Sequence, residues 1–491
     1  MPPHAACRTL LPAGRAWSLG RFDSQGGRLG QTAIESDRTH VLPLEFGRAM
    51  PIAVRGDGVW IEDADGRRYL DAMSGGSMAA TLGHGRGDIV AAAVAQAAKL
   101  AFVHNERLTN PAQERLAEEL TAVAPEGFTR ARFTVSGADA NEMALQIARS
   151  YHVERGEHHR WQVISPAQAY HGPTMQTLAL TGRPGMHGPF GPYLPQHLHI
   201  PPSTWRFDPT GEAALEALDA AIEEAGPDTI STYFSEAISA AALPAYTPPV
   251  RFWEGLAERR ERHGFLVCFD EVVTGVGRTG EWFAGAATAC PPDLIATAKG
   301  LGAGYAAIGA VLVKEHVYQA FADGSKRFTL GHTWDGAPLA CAVGIAVIDA
   351  VRREGLIERV RERGAKLRQE LADALADVAI VREVRGHGYL LGVSFVDPRD
   401  GASFLPPTLR VGGRIDAAAF DRGLIVLSTQ PTRDGFAGDQ TLFAPAFTAT
   451  DEDLGEMVSR FSDVVHQVAK DVEPELERAE PVPSTSSGGG R

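Results

Sequence analysis

From about residue 85 to residue 342 the chain alternates short apolar runs, rich in β-branched and aromatic residues, with longer stretches whose apolar positions recur three and four apart. The first pattern is that of strands buried on both faces, and the second that of amphipathic helices. Strands are predicted at 131–135, 162–165, 229–234, 265–269, 294–296 and 309–313, and helices at 89–100, 113–123, 141–154, 252–263 and 339–353. Alternation of this kind, sustained over roughly 250 residues, builds an α/β domain around a mostly parallel sheet. The charged run over 352–377 reads as one long helix with a solvated face, opening a smaller α/β domain.

No internal repeat interrupts this order. Residues 1–35 carry Gly, Arg and Ser without periodicity and are expected to be a flexible leader, and residues 471–491, ending in a Ser/Gly-rich run, a disordered tail. The three arginines before Asp23 imitate a transit peptide only in composition. Between the tails the expected divisions are an N-terminal segment over 36–84, a large domain over 85–342 and a small C-terminal domain over 343–470.

Composition narrows the function. The 61 acidic residues outnumber the 47 basic ones, for a net charge of -14, and the positive charges are dispersed, which argues against a nucleic-acid partner. No apolar run is long enough for a membrane span, and the first thirty residues lack a secretory apolar core, so a cytoplasmic location is expected. Cys7, Cys268, Cys290 and Cys341 are far apart, and the sixteen histidines form no ligand array. Neither a disulfide framework nor a metal site is expected.

In open α/β sheets ligands bind beyond the carboxyl ends of strands. Four such places carry residues of chemical interest. Ser136-Gly137-Ala138-Asp139 joins a strand to a helix, so its backbone N–H groups can cradle a phosphate, although a small-residue turn is also an ordinary helix start. Asp270 ends an apolar strand; it is either an N-cap or turn residue, or an acid that pairs with a protonated pyridine nitrogen. Lys299 precedes a glycine run, where it either snorkels to solvent or, in a dry pocket, offers a neutral amine to an aldehyde. Tyr170 follows a strand and is either a packed aromatic or a plate under a planar ring.

Taken in order, phosphate cradle, aromatic plate, ring-nitrogen acid and Schiff-base lysine describe a pyridoxal phosphate site. The sequence resembles the class III, or omega, aminotransferases among the fold type I pyridoxal phosphate enzymes. The resemblance rests on the opening segment from Gly56 to Asp71 and on Asp270-Glu-Val-Val-Thr-Gly-Val-Gly-Arg-Thr-Gly280, with Lys299 following, and spans about 51–465. It implies a fold type I transferase: a large domain with helices on both faces of the sheet, and a smaller α/β domain packed with the N-terminal segment.

The resemblance also implies roles. Lys299 would hold pyridoxal 5'-phosphate covalently and move the substrate's proton, and Asp270 would pair with the ring nitrogen. Tyr170 and Val272 would cover the two ring faces, Gly137 and Ala138 would bind the phosphate, and Glu236 would lie near the cofactor's hydroxyl. Thr333 matches a threonine that reaches the phosphate from a neighbouring subunit, which implies a homodimer with shared active sites. Three positions depart from the usual pattern. Ala138-Asp139 stands where Ser-Glu is common, Trp334-Asp335-Gly336-Ala337 replaces Tyr-Ser-Gly-His, and Met78 falls where many relatives place a bulky aromatic, hinting at a wider substrate pocket. Arg433, on a Gly/Pro loop, either pairs with Asp434 at the surface or swings in to hold a substrate carboxylate.

The implied activity is transfer of an amino group from a primary amine or omega-amino acid to a 2-oxo acid such as pyruvate, in two half-reactions through pyridoxamine phosphate. Racemisation, aminomutation or decarboxylation would use the same lysine and aspartate. A catalytically silent scaffold would be expected to have lost one of them, and both are present.

Overall fold

The computed structural model describes residues 33–429, 431 and 437–480. Two compact units are distinguished. Among the described residues the first comprises 33–55 together with Ile61–Arg68. Within it Ala33–Ile34 pairs antiparallel with Met50–Pro51, and the Asp63 carboxylate closes a tight turn by accepting the Asp65 and Arg67 N–H groups at 3.0 and 2.9 Å.

The second unit contains the large sheet. Its strands are β1 (Phe128–Thr134), β2 (Gln162–Pro166), β3 (Leu198–Ile200), β4 (Ile230–Ser235), β5 (Leu266–Asp270), β6 (Leu294–Thr297) and β7 (Gly309–Lys314), in the order β1-β7-β6-β5-β4-β2-β3. β7 runs antiparallel to both of its neighbours, whereas β6, β5, β4, β2 and β3 pair in parallel. All strands but β7 therefore point the same way, and their carboxyl ends share one edge.

The pleat explains why these sequences are strands. In β7, Val311 and Val313 pack with Ala140, Ala144 and Ile147 of the helix Gly137–Glu154, while Ala310 and Leu312 pack on the other face with Leu116 and Leu120 of the helix Pro111–Val123 and Ile348 of the helix Pro338–Arg353. Successive side chains point to opposite faces, and both faces are covered, so the strands read as unbroken apolar runs. The six predicted strands and five predicted helices are all present, each shifted by a few residues at most. β3 was not foreseen, because three residues are too few to show a period.

A four-stranded antiparallel sheet follows in the C-terminal part: β8 (Val381–His387), β9 (Leu390–Phe395), β10 (Leu427–Thr429) and β11 (Gln440–Phe443), ordered β8-β9-β11-β10. Leu70 and Asp71 pair in parallel with Leu424 and Ile425. Two expectations are corrected here. The charged run is not one helix from 352: the helix Pro338–Arg353 ends first, Gly355 takes φ +60°, and a new helix, Leu356–Ala374, begins. The left-handed residue breaks the i to i−4 ladder between them. The C-terminal helix Asp451–Leu476 also runs past residue 471, because Val472 and Leu476 are buried and keep its apolar stripe in the core. Among the described residues no helix is long and apolar enough to cross a membrane.

Candidate active site

A cavity of about 540 Å³ opens at the carboxyl edge of the large sheet. Gly137, Ala138, Tyr170, Glu236, Asp270, Val272 and Lys299 all line it. Each lies just past the end of a strand or on its last residue: β1 leads to Gly137, β2 to Tyr170, β4 to Glu236, β5 ends on Asp270 and β6 leads to Lys299. Strand order thus gathers residues that are more than 160 positions apart in sequence, from Gly137 to Lys299.

The Ser136 turn is the N-cap of the helix Gly137–Glu154. Its hydroxyl accepts the Asp139 N–H at 3.2 Å and donates to the Asp139 carboxylate at 2.6 Å. This cap uses the Asp139 N–H and leaves those of Gly137 and Ala138 outside the capping bonds, at the positive end of the helix dipole. Gly137 has no room for a side chain, since a Cβ there would sit 2.7 Å from Val272 Cγ1. Val272 therefore closes directly over the backbone of the turn.

Asp270 is 6% exposed and is held from three directions. Asn141 Nδ2 donates to its Oδ2 at 2.7 Å, His171 Nδ1 lies 2.8 Å from the same oxygen, and the Val272 N–H donates to Oδ1 at 2.9 Å. Asn141 Nδ2 also donates to the His171 carbonyl at 2.8 Å, which binds the clamp together. With Asp270 ionised, the His171 proton resides on Nδ1. The sequence pattern assigns no role to Asn141 or His171, although they follow closely on the Ser136 turn and on Tyr170.

Lys299 takes φ +31°, a strained backbone for a residue with a side chain. Its carbonyl accepts the N–H groups of Gly302 and Ala303 at 3.1 and 2.9 Å, so the following glycine run folds back and fixes the strained turn. Burial pulls the lysine below its ordinary pKa, opposed by the negative charges of Asp270 and Glu236. Glu236 is pushed up to about 7, chiefly by burial, with the nearby Asp270 charge adding and His171 opposing. Its oxygens accept the Ala240 N–H at 3.0 Å and the Ser239 hydroxyl at 3.2 Å.

Two motif residues without a role assigned from sequence turn out to hold the frame. Glu271 is fully buried and accepts the Ala284 and Gly285 N–H groups at 2.6 and 2.8 Å and the Thr274 hydroxyl at 3.0 Å; burial raises it to about 7. Arg278, also fully buried, donates to the carbonyls of Tyr389 and Pro445 and to Ser74 Oγ, and lies 4.8 Å over the Phe447 ring. It fastens the motif after Asp270 to the C-terminal part and to the segment beginning at Ser74.

The remaining expectations fall elsewhere. Met78 is 2% exposed and belongs to the same buried cluster as Met73; Ala79, its neighbour, is the residue of this segment that lines the cavity. The Met78 backbone takes a left-handed φ of +66°. Thr333 is exposed and does not line this chain's cavity. Its loop is anchored by Asp335, which receives Arg132 Nη2 at 2.8 Å and the His332 N–H at 2.9 Å, so the replacement in the Trp334–Ala337 stretch supplies a structural carboxylate. Arg433 lies outside the described residues.

The sequence profile of the class III aminotransferases matches residues 46–465. A probable aminotransferase of Mycobacterium tuberculosis is 35% identical over 80% of this chain and 86% of its own length. The diaminobutyrate–2-oxoglutarate transaminase of Halomonas elongata is 32% identical over 88% of this chain and 93% of its own. The solved structure of an omega transaminase from Pseudomonas jessenii in complex with PMP superposes with a TM-score of 0.82 at 27% identity, covering 89% of this chain and 98% of that one. The cavity at the sheet edge is therefore found in a protein that belongs to the class III aminotransferases, the pyridoxal phosphate-dependent transaminases.

Proposed function

We propose that the cavity binds pyridoxal 5'-phosphate through Lys299 and that the enzyme transfers the amino group of a primary amine or omega-amino acid to a 2-oxo acid such as pyruvate. The observation that carries this reading is the convergence of Lys299, the clamped Asp270 and the Gly137 helix start on one cavity. The donor set fits the cofactor. An ionised acid suits a pyridinium nitrogen, free N–H groups at a helix start suit a phosphate, and the side-chain-free Gly137 keeps that approach open. When bound, the cofactor supplies the electron sink.

The chain's own residues do the rest. Asp270, oriented by Asn141 and His171, holds a positive charge opposite it. Gly137 and Ala138 bind the phosphate, Tyr170 and Val272 cover the two ring faces, and Glu236 sits at the hydroxyl side. Lys299, whose burial favours the neutral amine, takes the proton from the substrate carbon and returns it. The activity named for the Halomonas relative, an amino transfer between diaminobutyrate and 2-oxoglutarate, supports a donor with a terminal amine.

The assembly in this reading is a homodimer in which Thr333 of the partner subunit completes the phosphate site, consistent with its being exposed and not lining the cavity of its own chain. The chain divides into a large cofactor-binding domain over 85–342 and a smaller domain over 343–470. The scattered cysteines, without disulfide or metal-ligand spacing, support a cytoplasmic enzyme. Borohydride reduction followed by peptide mapping tests the central assignment: the adduct is expected on Lys299, with loss of an absorption band at roughly 410–430 nm typical of a conjugated lysine adduct. An adduct on another lysine would refute it.

A further inference from the structure

Beside the main cavity lies a second one of about 50 Å³, walled by Tyr233, Phe252, Trp253, Ser235 and Tyr246. Glu236 lines both. Walls this rich in aromatic rings would ordinarily enclose dry space, yet three polar atoms of its lining residues have no hydrogen-bond partner: Tyr233 Oη, Ser235 Oγ and Trp253 Nε1. Their residues are 0%, 2% and 3% exposed, so bulk solvent does not satisfy them. The Tyr233 and Ser235 hydroxyls are close enough to interact with each other, and since such a contact uses one donor of the pair, bonding capacity remains on both hydroxyls and on Trp253 Nε1.

Buried polar groups without partners are rare, and several around one cavity indicate something polar inside it. A water needs roughly 10–15 Å³ of such space for its centre, so the cavity has room for about three to five. The exposed Pro201 forms part of its wall and marks the way to solvent.

We propose that this cavity is an internal hydration site serving Glu236: ordered waters, bonded to Tyr233 Oη, Ser235 Oγ and Trp253 Nε1, reach the carboxyl and form the path by which it gains and loses its proton. A proton leaving the Glu236 carboxyl passes to the nearest water, which hands one of its own to the next, with no net chemistry along the path. The charged groups that act on Glu236 are His171, Asp270 and Lys299, and its direct partners are the Ser239 hydroxyl and the Ala240 N–H. The significance for catalysis rests on the cofactor reading above, while the hydration does not.

Two measurements on the full-length holoenzyme test this. A high-resolution crystal structure is expected to show waters within hydrogen-bond distance of Tyr233 Oη and Trp253 Nε1, one of them touching Glu236. The infrared carbonyl band of protonated Glu236, assigned with Glu236→Gln, is expected to titrate at least half a pH unit higher in Tyr233→Phe and Trp253→Phe, since losing hydration disfavours the charged carboxylate. A dry cavity, or a titration unmoved in both variants, overturns the proposal; should the variants fail to fold, the wild-type density decides. If instead the cofactor reading is wrong, the wild-type protein will lack the visible band, while density and infrared titration still report on the cavity.

Discussion

Asn141 and Asp270 meet at 2.7 Å although 129 positions separate them. The helix that starts at the proposed phosphate cradle thereby also orients the acid at the end of β5, so the two ends of the cofactor site are set by one rigid element. Asp270→Asn is expected to retain bound cofactor while losing several orders of magnitude in kcat, because the charge matters mainly in the transition state. Asn141→Ala should lower kcat by about 10- to 100-fold, the range typical for an orienting partner. Steady-state kinetics with a cofactor-loading spectrum checks both, and near-native turnover in Asp270→Asn would sink the role.

The contact between Gly137 and Val272 makes a reciprocal prediction. Gly137→Ala drives a methyl to within 2.7 Å of Val272 Cγ1, and overpacking of this kind costs about 1–3 kcal/mol. Cofactor affinity should fall in Gly137→Ala and recover partly in Gly137→Ala/Val272→Ala, where the blocking methyls are gone. Titration of apoenzyme with cofactor measures it; equal affinities in the single and double variants would place the strain elsewhere.

Glu271 sets a pH dependence of stability. Its folded pKa is raised from 4.5 to about 7, so between those values the folded state holds a proton that the unfolded state has lost. Stability from this residue is therefore complete below about pH 4.5, declines as pH rises toward 7 and is level above it, a change on the order of 3 kcal/mol. Denaturant melts of wild type and Glu271→Gln across pH 5 to 8 should diverge, with the wild type losing ground to the variant as pH rises. Parallel curves would mean that the three hydrogen bonds to Glu271 outweigh its burial.

Thr333 is exposed and does not line its own chain's cavity. Thr333→Ala is expected to weaken cofactor retention and to leave the spectrum of the saturated enzyme unchanged, and sedimentation should give a dimer. A fully active monomer contradicts the shared site.

What the sequence determined alone was local. Runs such as Leu266–Asp270 are apolar because both faces of the strand are covered, and helices such as Val250–His263 show a 3.6-residue period because one face is not; each signal acts within a few residues and is read directly. Asp270 and Lys299 were legible for the same reason, each polar at the end of an apolar strand. Strand order and burial were not legible, because they depend on residues far away in the chain. The antiparallel β7, the clamp of Asn141 and His171 on Asp270, and the anchorage of Arg278 to Tyr389 and Pro445 all required the assembled sheets. So did the burial of Met78 and the break at Gly355, where a single left-handed residue overrules a pattern that reads as continuous helix. Tertiary structure decided these because a side chain's environment, unlike its periodicity, is made by whichever distant elements pack against it.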